Sequence, residues 1–134
     1  MLDYLNPRFR IVTRQPPSAV GLAELRAHHG PLQPSVEALF GEASAVEITG
    51  PGSRYFRFYS PERCLQEAKK MALQIPNALP IGSDGGGNAI VERGGIIFLV
   101  SYATPDEPKL SRIADGLQEL LANPEPLWPW IDEQ

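Results

Sequence analysis

The stretch Leu79-Pro80-Ile81-Gly82-Ser83-Asp84-Gly85-Gly86-Gly87-Asn88-Ala89-Ile90-Val91-Glu92-Arg93-Gly94-Gly95-Ile96-Ile97-Phe98-Leu99-Val100-Ser101-Tyr102 holds three apolar runs separated by two glycine turns. Leu79 to Gly82 reads as a short strand, and Ser83 to Gly87 as a sharp turn. Asn88 to Glu92 is a second strand, Arg93-Gly94-Gly95 a turn, and Ile96 to Tyr102 a third strand. Successive side chains of a strand point to opposite faces, so the apolar run Ile96 to Val100 predicts a strand covered on both sides and central in its sheet. A phosphate loop needs Gly-Lys-Ser/Thr followed by a helix; here no lysine follows and the next segment is a strand. A dinucleotide fingerprint fails for the same reason. The glycines of Asp84-Gly85-Gly86-Gly87 therefore read as a strand-to-strand turn that uses positive φ, with Asp84 accepting backbone N–H groups.

Upstream, Arg54 to Tyr59 alternates, with Phe56 and Phe58 on one face and Tyr55, Arg57 and Tyr59 on the other. Ala45 to Thr49 is strand-like, and Gly50-Pro51-Gly52-Ser53 turns between the two. Ser60-Pro61-Glu62 starts a helix with serine as N-cap and proline in the first turn. Its apolar positions Cys64, Leu65, Ala68, Met71, Ala72 and Ile75 follow helical spacing until Pro76. Ser18 caps an earlier helix over Ala19 to His28, read with Val20, Ala23 and Ala27 as one stripe beside Leu22 and Leu25. A short helix runs from Pro34 to Phe40. Residues 1–17 form an arm or edge strand. Downstream, Thr104 to Pro108 is a loop. Ser111 to Ala122 predicts a closing helix with Ile113, Ala114, Leu117, Leu120 and Leu121 inward, and residues 124–134 form a Pro/Trp tail.

This order predicts an α+β fold in a single domain spanning 1–134. Its sheet is mostly antiparallel, with N-terminal helices, one inserted helix and a closing C-terminal helix. At 134 residues the chain has the length of one domain, and its 14 prolines exclude long bundles and coiled coils. One cysteine excludes an internal disulfide and a cysteine-based zinc site. The net charge of −4 is concentrated: seven acids and two bases lie between Thr104 and Gln134. An acidic end disfavours nucleic acid and suits a basic protein partner. No secretory signal or membrane-length apolar run is present, which places the chain in the cytoplasm and off the membrane.

No grouping of residues matches a catalytic or metal motif, so neither a cofactor nor a metal is expected. His28-His29 sits at a helix end, where a cationic histidine meets the helix dipole; adjacent residues do not share the face a metal pair needs. Cys64 is either a small core residue or, from its place in a first helical turn, a thiol nucleophile. Tyr55, Arg57 and Tyr59 carry side-chain types enriched at binding hot spots. Trp128 and Trp130 are either a lid on the domain or anchors for a partner; the tail is expected to cover the second face of the Ile96–Val100 strand.

The segment Leu79-Pro80-Ile81-Gly82-Ser83-Asp84-Gly85-Gly86-Gly87-Asn88 resembles the central motif of the SUKH superfamily of Smi/Knr-like domains, an apolar "P-I-(small)-x-D-G-G-G-(D/N)" turn between two strands. The Ser-Pro-Glu helix lies upstream, where the family has a helix. Ile113 to Leu121 resembles the family's closing helix, with Gly116 and Leu117 where Ser-Phe is usual. Leu32 to Phe40 lies where the family has "LP-x-x-(Y/F)-x-x-(F/L)-L", without the Asn-Gly pair that follows there. The resemblance implies a single α+β domain that binds proteins and has no catalytic activity. Bacterial members are commonly immunity proteins that neutralise secreted toxins. The other expectation is a small ligand-binding protein or enzyme using Cys64 or the Asp84 turn. Self-association into a homo-oligomer is a third.

Overall fold

Phe56 and Phe58 point to one side of their strand and are fully buried, while Tyr55 and Arg57 point to the other and stay half-exposed. The computed structural model describes residues 1–101 and 108–131. The strands are β1 (Arg10–Gln15), β2 (Ala45–Thr49), β3 (Tyr55–Phe58), β4 (Leu79–Ser83), β5 (Ala89–Arg93), β6 (Ile96–Ser101) and β7 (Lys109–Ala114). They form one seven-stranded sheet in chain order, antiparallel at every pairing. The helices are α1 (Ala19–His29), α2 (Pro34–Glu42), α3 (Pro61–Met71) and α4 (Leu117–Ala122). The protein is thus an α+β fold, and the N-terminal segment supplies the edge strand β1.

Both expected serine caps form. Ser18 Oγ accepts from the Gly21 amide at 3.1 Å, and Ser60 Oγ accepts from the Arg63 amide at 3.2 Å. The front face of the sheet carries the main core. Phe56, Phe58, Leu79, Ile81, Ile90, Ile97 and Leu99 meet Leu25 of α1, Val36, Leu39 and Phe40 of α2, and Leu117, Leu120 and Leu121 of α4.

Four expectations are corrected. The inward face of α1 is Gly21, Leu22 and Leu25, whereas Val20 is 72% exposed and Ala23 and Ala27 face solvent. The reason is tertiary: Leu22 and Leu25 enter the main core, and α1 lies against α3, where the Ser18 hydroxyl donates to Glu62 Oε1 at 2.7 Å beside Gly21. The closing helix is half as long as expected. Lys109–Ala114 is a strand that pairs with β6 and satisfies its outer backbone groups; the helix begins only at Leu117, after Gly116 in extended conformation. The helix α3 stops at Met71 instead of Ile75, and Ile75 continues in a turn whose amide bonds to Met71 O at 2.9 Å.

Finally, β6 is covered on both faces but lies next to the sheet edge, and the tail is not its second cover. Its back-facing Val100 packs with Val91 of β5 against Met71, Ile75 and Ala78. Trp128 lies instead in the front core, stacked on Phe9 with ring centroids 5.7 Å apart and tilted against Phe56 at 5.9 Å. The adjoining Glu125 is held by the buried Arg54, whose Nε donates to Oε2 at 3.0 Å. The expected 104–108 loop (apart from Pro108), Tyr102 at the end of the third strand, and 132–134 of the tail lie outside the described residues.

Candidate functional site

The strand registers join Thr13, Glu47, Arg57, Ser83, Ala89, Val100 and Leu110 into a single row across the back of the sheet. The row is polar from β1 to β4 and apolar from β5 to β7. The end of α3 and the turn after it cover the apolar half. Beside the polar half lies a cleft of about 240 Å³ between β3, α3 and the glycine turn, lined by Arg57, Tyr59, Arg63, Ser83, Gly85 and Gly87 among others.

The turn is built by Asp84. Its Oδ1 accepts from the amides of Gly86 (2.8 Å) and Asn88 (3.2 Å), and its Oδ2 accepts from Asn88 Nδ2 (2.9 Å). This is an Asx-type turn, and it takes Gly85 and Gly87 to φ of 78° and 94°. At Gly85 a side chain would also strike the Tyr55 ring, 2.7 Å from its Cδ1. Gly85→Val is therefore expected to cost on the order of 2 kcal/mol, since it combines left-handed backbone strain with a steric clash. Chemical denaturation of the variant against the parent measures this.

The row is pinned by side-chain hydrogen bonds. Arg57 Nε donates to Ser83 Oγ at 3.1 Å. Glu47 accepts from the Tyr55 hydroxyl at 2.7 Å and from the Thr13 hydroxyl at 3.0 Å. These bonds, that of Tyr55 first, favour the charged carboxylate and hold Glu47 below its ordinary value of 4.5. Burial and the Glu47 contact push the Tyr55 phenol up. Because the folded Glu47 value is the lower one, its contribution to stability is present above pH 4.5 and is lost as pH falls through the folded value. Tyr55→Phe is expected to move the Glu47 titration up toward 4.5, read by carboxyl NMR; an unmoved titration contradicts the assignment.

Tyr59, only 7% exposed, presents its ring to two guanidinium groups, with Arg57 Cζ at 5.7 Å and Arg63 Cζ at 4.6 Å from the centroid. The structure thus gathers Tyr55, Arg57 and the glycine turn on one surface; Tyr59, expected on the same outward face, is corrected to a buried member of the main core cluster that also lines the cleft. It does not bring the tail there. Trp128 is 4% exposed in the front core, so as a partner-binding candidate it is corrected to a core residue; Trp130 is 62% exposed and apart from this surface. Cys64 is wholly buried, its sulfur 4.0 Å from Tyr59 O, and burial pushes its thiol up, opposite to what a nucleophile needs. His28 and His29 end α1, as their sequence position suggests.

Sequence reading passed over Thr13, Glu47, Arg63 and Ser83. For Glu47 a signal was present: a hairpin centred on Gly52 sets position 47 opposite position 57. Arg63 and Ser83 reach the site only through the placement of α3 and the short β3–β4 pairing. No protein-family model matches this chain, and no curated protein matches it.

Proposed function

We propose that this chain is a non-catalytic protein-binding module of the SUKH type, acting as an immunity protein that neutralises a toxin in the cytoplasm. What supports the reading is that the Asp84–Asn88 turn, the element that carries the resemblance, forms one wall of an open surface. Tyr and Arg, common binding hot-spot types, form the adjacent walls of that surface. The buried Cys64 thiol offers no accessible nucleophile beside it. Among the described residues no helix is long and apolar enough to cross a membrane.

The deciding experiment is genetic and biochemical together. A polymorphic toxin domain is expected to be encoded beside this chain, and its growth inhibition is expected to disappear on co-expression with the chain, with a stable complex on gel filtration. A neighbourhood without a toxin, or unrelieved toxicity, counts against the reading. The cleft at the Asp84 turn gives the small-ligand reading its one specific observation. That reading instead requires a metabolite that raises the melting temperature.

A further inference from the structure

The dipeptide Asp-Gly occurs twice in the chain, at Asp84-Gly85 and Asp115-Gly116. It is a chemically labile pair, because glycine has no side chain to shield its nitrogen from the preceding carboxyl group. The structure places the two copies in opposite environments. Asp84 is 8% exposed, and both carboxylate oxygens are engaged, Oδ1 by the amides of Gly86 and Asn88 and Oδ2 by Asn88 Nδ2. Gly85 is fixed as well: its amide donates to Ser83 Oγ at 3.4 Å, and a Cβ there would strike the Tyr55 ring. Asp115 lies between β7 and α4, with its side chain 65% exposed. Among the described residues its carboxylate bonds only to the Arg112 guanidinium, itself 58% exposed, and only through Oδ1. Such a surface pair holds a carboxylate weakly. A Cβ at Gly116 would meet only Gly95 O, at 3.9 Å, so the backbone there is open.

We propose that Asp115-Gly116 is a site of spontaneous isoaspartate formation in the folded protein, and that the fold silences the same chemistry at Asp84-Gly85. The site is independent of the protein-binding reading. The Gly116 nitrogen attacks Cγ of the protonated Asp115 carboxyl. An N–C bond forms, the Cγ–O bond breaks, and the hydroxyl leaves as water with the amide proton. Water then opens the resulting five-membered succinimide. Opening at the side-chain carbonyl restores aspartate; opening at the main-chain carbonyl leaves the chain running through the former side chain, as isoaspartate. The attack requires Cγ to reach the nitrogen, so freedom to orient governs its rate. At Asp84 three hydrogen bonds stand against that movement, and at Asp115 one exposed ion pair. The product adds a methylene carbon to the main chain between β7 and α4. It does so beside the bond from the Asp115 amide to Glu119 Oε2, at 2.6 Å, and two residues before the fully buried Leu117.

The test ages the full chain at neutral pH, folded in buffer and unfolded in urea. Isoaspartate at each Asp-Gly pair is quantified by peptide mapping, and labelling with an isoaspartate-specific carboxyl methyltransferase confirms it. In urea both pairs are expected to isomerise at similar rates. In the folded chain isoaspartate is expected to accumulate at position 115 and to stay at background at position 84. Gly116→Ala is expected to slow accumulation at 115 severalfold, since the new methyl group shields the nitrogen. It is expected to fold, because φ at 116 is 170° and the added Cβ makes only ordinary contact. Asn88→Ala, which removes the side-chain donor to Asp84 Oδ2, is expected to raise the folded-state rate at 84. A folded chain that stays unmodified at 115 while the urea sample isomerises there overturns the proposal. So does isomerisation at 84 as fast as at 115 in the folded chain, an unchanged rate in Gly116→Ala, or the absence of isoaspartate at both pairs in urea.

Discussion

Gly82→Ala is expected to destabilise the protein by on the order of 3 kcal/mol, at the top of the usual overpacking range. A Cβ at this position would overlap the Arg57 carbonyl oxygen and sit 3.0 Å from its carbon. Both are backbone atoms, so no side chain can rotate away. The junction is also short: β3 and β4 meet only through Arg57↔Ser83 and Phe58↔Gly82, extended by the Tyr59 amide bonding to Ile81 O at 2.8 Å. Pushing the strands apart there threatens both the front core at Phe58 and the Arg57–Ser83 bond behind it. Gly86→Ala is the matched control. Its Cβ would lie 3.5 Å from Asp84 Oδ1, ordinary contact, and its φ is not left-handed. Equal losses in the two variants, measured by urea melts, would show that the strand junction is not the cause.

Trp128→Ala is expected to cost about 3–5 kcal/mol, the range for removing a large buried aromatic. The indole is stacked on Phe9 and tilted against Phe56, which in turn meets Phe58 edge-on at 5.6 Å. It therefore ties the segment before β1 and the tail to the centre of the sheet. Arg54, two residues before Phe56, is buried, and its pairing with Glu125, far along the chain, keeps the tail in place. A double-mutant cycle of Trp128→Ala with Phe9→Ala is expected to show coupling of about 1 kcal/mol beyond burial. Trp130→Ala, at an exposed position, is expected to leave the melting temperature unchanged. A Trp128 variant as stable as the parent would mean that the tail does not seal the core.

The hairpins and serine caps were legible in the sequence because their signals are local. Alternation assigned Phe56 and Phe58 to the core, and Asp84 with its glycines specified a turn before any neighbour was known. Three features were not legible for one shared reason: the spacing was compatible with two structures, and a distant contact chose. Ser111 to Ala122 satisfies helical spacing, but the open edge of β6 takes its first half as a strand. The residues of α1 offer more than one apolar stripe, and packing against the main core and α3 selects the face that carries Gly21, Leu22 and Leu25. The stripe from Cys64 to Ile75 looked like one buried face, yet Cys64 joins the front core whereas Met71 and Ile75 cover the back. Of the site, Tyr55, Arg57, Tyr59 and the turn were legible residue by residue. Their convergence, and the part played by Arg63 and Ser83, depended on where α3 crosses the sheet.

The strand order follows the chain order without exception. No strand has to be threaded between two that are already in place, so the sheet can grow by adding each new strand to its outer edge as the ribosome delivers it. Closure at the other end is long-range. The Asn6 amide bonds to Leu121 O at 2.9 Å, and Phe9 waits for Trp128. During synthesis the growing sheet therefore carries an uncapped aromatic patch at Phe9 and Phe56 until residues 117–131 have emerged. A nascent chain stalled before Trp128 is expected to bind chaperones and to be cut by proteases near β1, and one released beyond it to resist both.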